Sequence, residues 1–226
     1  SGPNAVISQR RASALTAFEM EDPQGALQQL EEFGNNSPSH AIDMVLARAQ
    51  LLASLERHNE ALDLYDRYVM YRPDDESALL GRAELLLRMD RLDDAIEQYR
   101  AAVKRWPESA MSLNALGYTL ADHTDEYREA EKLIRKALEY DPDSPAIIDS
   151  LGWVLFKQGE YEAALVELRR AYEKLDDHEV AAHIVEVLDA LERRDEALDV
   201  LEDAESRHTD SELLQDVRKR LFPAAA

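Results

Sequence analysis

Two histidines on one predicted helix are the first candidates for chemistry in this sequence. His178 and His183 flank the stretch HEVAAH. A zinc motif of the HExxH kind needs its histidines four residues apart, so that both face the same side of a helix. Here they are five residues apart, which places them about 140° from each other around the helix. The chain also has no cysteine to act as a ligand or nucleophile. We therefore predict no metal site and no cofactor.

Other catalytic motifs are absent from the sequence as well. Gly117 and Gly152 are isolated glycines, so no glycine-rich loop is present to bind a phosphate. No Gly-x-Ser-x-Gly nucleophile elbow occurs. Asp90, Asp93 and Asp94 lack the glycine and the terminal glutamate that a calcium-binding loop requires. We predict that the chain is not an enzyme, and that its chemistry is surface recognition.

The charge of the chain limits its partners. It has 26 Lys and Arg against 47 Asp and Glu, which gives a net charge of −21. This balance argues against binding to nucleic acid or to an anionic membrane surface, because both need basic contacts. No apolar run approaches the roughly 20 residues of a membrane span. Residues 1–3 (SGP) look like a cloning remnant, so we expect that an upstream signal or domain has been removed.

The sequence is organised as an internal repeat. Alanines in Glu-Ala-Leu-like triplets recur at spacings of 35, 34, 35, 34 and 33 residues. We call these residues the anchor alanines: Ala26, Ala61, Ala95, Ala130, Ala164 and Ala197. The residue twelve positions before an anchor is Ala or Gly in five of the six repeats. The residue four positions after each anchor is Leu, Ile or Tyr. Such columns predict paired helices, in which the small residue lets the second helix approach the first.

These columns resemble the tetratricopeptide repeat, and the fullest match runs from Leu116 through Ala130 to Pro142. The resemblance implies an all-α, right-handed superhelical solenoid of about six helix pairs with a C-terminal capping helix. The predicted repeats are 7–41, 42–75, 76–109, 110–144, 145–177 and 178–211. Residues 212–222 are predicted to form the capping helix, 1–6 a tag or disordered start, and 223–226 a disordered tail.

In this class of repeat the first helix of each pair lines the concave face. The resemblance implies that an apolar and acidic strip there binds protein partners. Its predicted members are Leu80, Leu87, Asn114, Tyr118, Asp122, Asp149, Trp153, Phe156 and Glu186. We expect Trp153 to face the groove as a binding hot spot; the alternative is that it packs against neighbouring helices. Asp122, Asp149 and Glu186 would steer a partner that is basic near the contact.

A closer resemblance rests on NALGYTLAD (114–122), PDSPAIIDSLGW (142–153) and AAH (181–183). These stretches resemble the C-terminal part of the LbcA-type tetratricopeptide lipoproteins of Gram-negative bacteria. That family implies a periplasmic adaptor, held at the outer membrane by an N-terminal lipid, that binds a carboxyl-terminal processing protease and its substrates. The alternatives are a structural or oligomerisation module of an envelope assembly, self-association, and a cytoplasmic location.

Overall fold

The computed structural model describes residues 22–36 and 41–223. The predictions for residues 1–6, for most of the first helix of repeat 1 and for the last three residues lie outside this part. The chain divides after Ala102 into two compact units, which are described separately below. The exact repeat boundaries remain a prediction.

The described residues form twelve α-helices and no strand, so the all-α prediction is confirmed. Their bounds are α1 Pro23–Asn36, α2 Ala41–Ser54, α3 His58–Tyr71, α4 Glu76–Arg88, α5 Leu92–Arg105, α6 Ala110–His123, α7 Tyr127–Tyr140, α8 Pro145–Lys157, α9 Tyr161–Lys174, α10 His178–Ala190, α11 Arg194–Arg207 and α12 Glu212–Leu221. The boundary between the units falls within α5. Pro23 opens α1, a position where proline loses no helical hydrogen bond.

The starts of several helices are fixed by side-chain caps. Asp75, Ser109, Asp177 and Ser211 each accept a hydrogen bond from a backbone N–H in the first turn of the helix that follows. Such caps satisfy donors that a helix leaves unpaired at its N-terminus. Three of these residues precede α4, α6 and α10, which are first helices of pairs, and the fourth precedes α12. The caps therefore separate one helix pair from the next.

The turns within four of the pairs share one backbone geometry. Glu56, Asp90, Gly159 and Glu192 all have positive φ, and the next residue in each turn donates a hydrogen bond of 2.9 Å to a carbonyl five residues back. This left-handed ending is a common stop for a helix. The turn between α6 and α7 differs, because Thr124 is extended there.

The anchor alanines form the centre of each helix pair. All six are fully buried, as are the residues four positions later: Leu30, Tyr65, Tyr99, Ile134, Leu168 and Leu201. In the second unit the small residues of the first helices touch these columns directly. A Cβ on Gly152 would lie 2.5 Å from Leu168 Cγ and 3.2 Å from the carbonyl oxygen of Ala164. The close helix approach predicted from the sequence is therefore present in the structure.

The last helix, α12, covers the end of the second unit. Leu214 and Val217 are buried, whereas Leu213 is exposed. Arg218 makes a bidentate contact with Glu205 of α11, with nitrogen–oxygen distances of 2.6–2.9 Å. Basic residues in its last turn also face the negative end of the helix dipole. These features are those of a solubilising end helix.

Candidate functional site

Trp153 is at the centre of a network on the first helices of the second unit, α6, α8 and α10. Only 7% of its surface is exposed. Its Nε1 donates a hydrogen bond of 3.0 Å to Asp122 Oδ1 on α6, and its ring stacks on His183 of α10 at 4.2 Å between centroids. The expectation that this side chain faces an open groove is therefore wrong, because the neighbouring first helices cover it. The alternative, that Trp153 packs against neighbouring helices, describes its surroundings.

His183 and Asp149 form a buried polar pair beneath Trp153. The distance from His183 Nδ1 to Asp149 Oδ1 is 2.9 Å, and each residue is 6% exposed. Burial by itself lowers the pKa of His183. The hydrogen bond to Asp149 and the negative charges of Asp149, Glu179 and Glu186 outweigh it, so the pKa is raised. The pair therefore holds the imidazole in its charged form over a wider pH range than in water.

Tyr118 connects two first helices that are not neighbours in the chain. Its hydroxyl on α6 donates a hydrogen bond of 3.1 Å to Glu179 Oε1 on α10, 61 residues further on. Burial raises the pKa of the Tyr118 phenol, and the charges of Glu179, Asp122 and Asp149 raise it further. The phenol therefore remains a hydrogen-bond donor throughout the physiological pH range. This contact joins the first helix of one pair to that of the second pair after it.

The carboxylates that we expected to steer a partner are engaged within the chain. Asp122 accepts from Trp153 and also lies 3.8 Å from Lys157 Nζ. Asp149 is held by His183, and Glu186 Oε1 accepts a hydrogen bond of 2.5 Å from Arg220 of α12. Their charges are largely compensated locally, so these three residues do not form an open acidic patch.

The most accessible apolar part of this face is on α6. Met111 is 49% exposed, and Asn114 and Tyr118 follow it at three and seven residues, which places them on the same side of the helix. The Asn114 Oδ1 atom is buried and has no hydrogen-bond partner. Phe156 of α8 is half-buried next to Trp153, with ring centroids 5.1 Å apart. This edge is the accessible part of the network.

The structure divides the predicted strip between the two units. Leu80 is buried and Leu87 half-buried on α4 of the first unit. The other seven predicted residues belong to the second unit, where Tyr118, Asp122, Asp149, Trp153 and Phe156 are linked through the network around Trp153. Whether any of these residues binds a partner remains a prediction.

Sequence reasoning missed the histidine in this network. The sequence analysis considered His178 and His183 only as metal ligands, and His178 is exposed. The signal for His183 was its separation of 34 residues from Asp149, about one repeat length. That spacing places the two residues at nearly equivalent positions of adjacent first helices. Glu179 and Lys157 also join the network without having been selected as site residues.

Two further properties bear on function. Within residues 22–36 and 41–223, no group of three or more His, Asp or Glu side chains could hold a metal ion. None of the helices in that same part of the chain combines the length and apolar character that crossing a membrane demands.

Two family models match the chain. One, described as tetratricopeptide repeat, matches residues 11–78 and 80–145, which together are more than half of the chain. The other, described as anaphase-promoting complex, cyclosome, subunit 3, matches residues 123–204.

The chain is also similar to individual tetratricopeptide repeat proteins. TPR repeat-containing protein PA4667 of Pseudomonas aeruginosa is 37% identical over 161 residues, covering 71% of this chain and 27% of that protein. The chain thus spans about a quarter of the length of this relative. The thermophilic TPR protein TTC0263 of Thermus thermophilus has a TM-score of 0.70 at 23% identity, covering 80% of this chain and 96% of that one. A chain of the Cut9–Hcn1 hetero-tetramer of the APC/C reaches 0.75 at 16% identity, covering 96% and 42%. The chain belongs to the tetratricopeptide repeat family.

Proposed function

We propose that this chain is a non-catalytic scaffold whose second unit binds a segment of a protein partner on the face of α6. We further propose that it acts as an adaptor that brings a periplasmic carboxyl-terminal processing protease together with its substrates. Family membership supports the first statement, since stacked helix pairs of this kind present extended binding surfaces. The second rests on the LbcA-type resemblance of residues 114–122, 142–153 and 181–183.

One observation carries the scaffold proposal: a half-exposed methionine next to a buried amide oxygen without a partner. Met111 offers an adaptable apolar contact. One turn further, the Asn114 oxygen lacks a donor, and a buried acceptor left unpaired costs free energy. A backbone N–H of a bound segment would supply that donor, with a small rotation of the amide. Tyr118 is already fixed by Glu179, so this edge is organised before a partner arrives.

The location follows from the same resemblance and is part of the proposal. The full-length protein would be a periplasmic lipoprotein at the outer membrane, held by an N-terminal lipid. The matched part of PA4667, 37% identical to this chain, is 27% of that protein.

Site-specific photo-cross-linking tests the scaffold proposal. A benzoylphenylalanine is placed at Met111 of the full-length protein in the organism that encodes it. A second protein carries it at Val166, a 65% exposed apolar residue on α9, as a control for non-specific capture. We expect the Met111 probe to cross-link a distinct protein that the Val166 probe does not, and mass spectrometry identifies that protein.

The adducts also separate the alternatives. A carboxyl-terminal processing protease or its substrate at Met111 would support the adaptor role. Adducts with a second copy of the chain alone would favour an oligomerisation module instead. Equal labelling of the same proteins from both positions would contradict a binding face on α6.

A further inference from the structure

A small cavity opens between α2 and α4 in the first unit, apart from the network around Trp153. Its volume is about 240 Å³. Its lining is mixed: Gln50, Ser54, Tyr65, Glu84 and Arg88 bring polar groups, whereas Ala53, Gly81 and Leu85 bring none. Ligand sites for drug-sized molecules occupy roughly 300–1,000 Å³, so this cavity is of a size for a single side chain. It lies on the first-helix side of the pair, because α2 and α4 are both first helices.

The floor of the cavity is a hydroxyl group without a partner. Tyr65 is 3% exposed, and within the described part of the chain its hydroxyl makes no hydrogen bond. A Cβ on Gly81 would lie 2.9 Å from that oxygen, so the hydroxyl reaches the cavity because Gly81 has no side chain. The Tyr65 oxygen is not one of the enclosed side-chain atoms that lack a partner, so it opens on the cavity and can contact a group bound there.

The equivalent position is aliphatic in four of the other five repeats, and Tyr99 occupies it in the fifth. Leu30, Ile134, Leu168 and Leu201 occupy the same column and are fully buried. The packing of the helix pair is thus satisfied by an aliphatic residue. The phenol of Tyr65 extends beyond what that packing requires, into the space left by Gly81.

The charges around the cavity restrict the group that it accepts. Arg88 Nη2 donates a hydrogen bond of 2.5 Å to Glu84 Oε1, so the two rim charges compensate each other and favour neither a cation nor an anion. Burial raises the pKa of Tyr65 to about 12, with Glu84 raising it and Arg88 lowering it. The phenol is therefore a donor at neutral pH. It can donate to an acceptor oxygen, while Glu84 and Gln50 can accept from donors on the same ligand.

We propose that this cavity binds the side-chain carboxamide of an asparagine or glutamine in a protein segment. A primary carboxamide is uncharged, combines one acceptor oxygen with two N–H donors, and fits the volume of the cavity. Its oxygen accepts from the Tyr65 hydroxyl, and its nitrogen donates towards the rim. The inference rests on the proposed scaffold function in one respect: the carboxamide belongs to a protein partner.

Short peptides test the cavity on the intact chain. The probes are acetyl-Gly-Ala-X-Ala-Gly-amide peptides, with X as Gln, Glu or Leu, titrated in ¹H–¹⁵N NMR spectra. We expect the Gln peptide to shift the Gly81 amide saturably and to bind more tightly than the Glu and Leu peptides. Tyr65→Phe should weaken the Gln peptide three- to tenfold, about the value of one neutral hydrogen bond. Tyr99→Phe is the matched control, since Tyr99 is buried at the same column, and should leave binding unchanged.

A second variant fills the part of the cavity next to the ring of residue 65 and leaves the fold intact. In Tyr65→Phe with Gly81→Ala, the new methyl group occupies the cavity floor at 3.5–3.6 Å from ring atoms of residue 65, an ordinary contact distance. We expect this double variant to lose the Gln-specific shift while its thermal unfolding remains cooperative. Equal affinity of the Gln and Leu peptides for the wild-type chain, or unchanged Gln binding in Tyr65→Phe, would overturn the proposal.

Cross-linking at Met111 and binding of the Gln peptide test the two proposals independently. Saturable Gln-peptide binding without any specific adduct at Met111 would overturn the scaffold proposal and leave the cavity standing as a carboxamide site. A specific adduct at Met111 without Gln-selective binding would overturn the cavity proposal and leave the scaffold standing.

Discussion

The Nδ1 atom of His183 lies 2.9 Å from the Oδ1 atom of Asp149, although the two residues are 34 positions apart. Both side chains are nearly inaccessible to water, and Trp153 stacks on the imidazole. A buried ion pair needs close geometry to offset its desolvation. Here the carboxylate of Asp149 supplies the direct contact, and Glu179 and Glu186 add negative potential. The contact joins α8 to α10 and thereby two successive helix pairs.

From the contact between His183 and Asp149 we predict that the second unit loses stability as the pH rises. The pKa of His183 is raised in the folded chain above its ordinary value of 6.5. A histidine whose pKa is raised by folding contributes its full stabilisation at pH values below its pKa in the unfolded chain. That stabilisation is lost as the pH rises through its pKa in the folded chain. Relative to His183→Gln, we expect the melting temperature of the wild-type chain to fall as the pH rises above the ordinary histidine value of 6.5.

The pH effect needs a control histidine and a direct titration. His178→Gln is suitable, because His178 is exposed on the same helix, and it should retain the wild-type pH dependence. In Asp149→Asn, NMR titration should show a lower pKa for His183, because burial would then act with less opposition. A His183 pKa at or below its ordinary value in the wild-type chain would contradict the ion-pair description.

We expect substitutions of Trp153 to lower the free energy of unfolding. Trp153→Ala removes a buried aromatic ring from between three helices and should cost about 3–5 kcal/mol of unfolding free energy. Trp153→Phe retains a ring but loses the hydrogen bond to Asp122, which should cost about 0.5–1.5 kcal/mol for that bond. Chemical denaturation measures both changes. A Trp153→Ala variant that is as stable as the wild-type chain would show that the side chain is not packed as described.

Close helix packing at Gly152 can be tested by a single methyl group. In Gly152→Ala the new Cβ would lie 2.5 Å from Leu168 Cγ, and overpacking of this kind costs about 1–3 kcal/mol. Alanine favours a helix over glycine by about 1 kcal/mol, but the contact involves a branching carbon of the core and should dominate. Denaturant unfolding measures the change.

A double-mutant cycle assigns that cost to the contact. Leu168→Ala alone leaves a cavity, whereas in the double variant the methyl at position 152 meets open space. The two substitutions should therefore be less destabilising together than their sum, by at least ~0.5 kcal/mol. Additive effects would mean that residues 152 and 168 do not touch.

The sequence was informative where a contact recurs in every repeat. The anchor alanines and the residues four positions later could be predicted to be buried, because each helix pair solves the same packing problem. The contact between Tyr118 and Glu179 could not, since it spans two repeats and depends on how far successive first helices rotate. For the same reason the spacing placed Trp153 on the first-helix face, but could not show that His183 and Asp122 cover it. The Tyr65 cavity was missed because it arises from Gly81, a departure from the pattern and not part of it.

The most direct measurement of the central claim is the affinity of the partner cross-linked through Met111. Isothermal titration calorimetry compares the wild-type chain with Met111→Asp and Val166→Asp, which place the same charge on α6 and on α9. If α6 binds the partner, Met111→Asp should weaken binding about tenfold or more, the scale of a hot-spot loss, while Val166→Asp should bind as the wild type does. Equal affinity of all three proteins would contradict a binding face on α6.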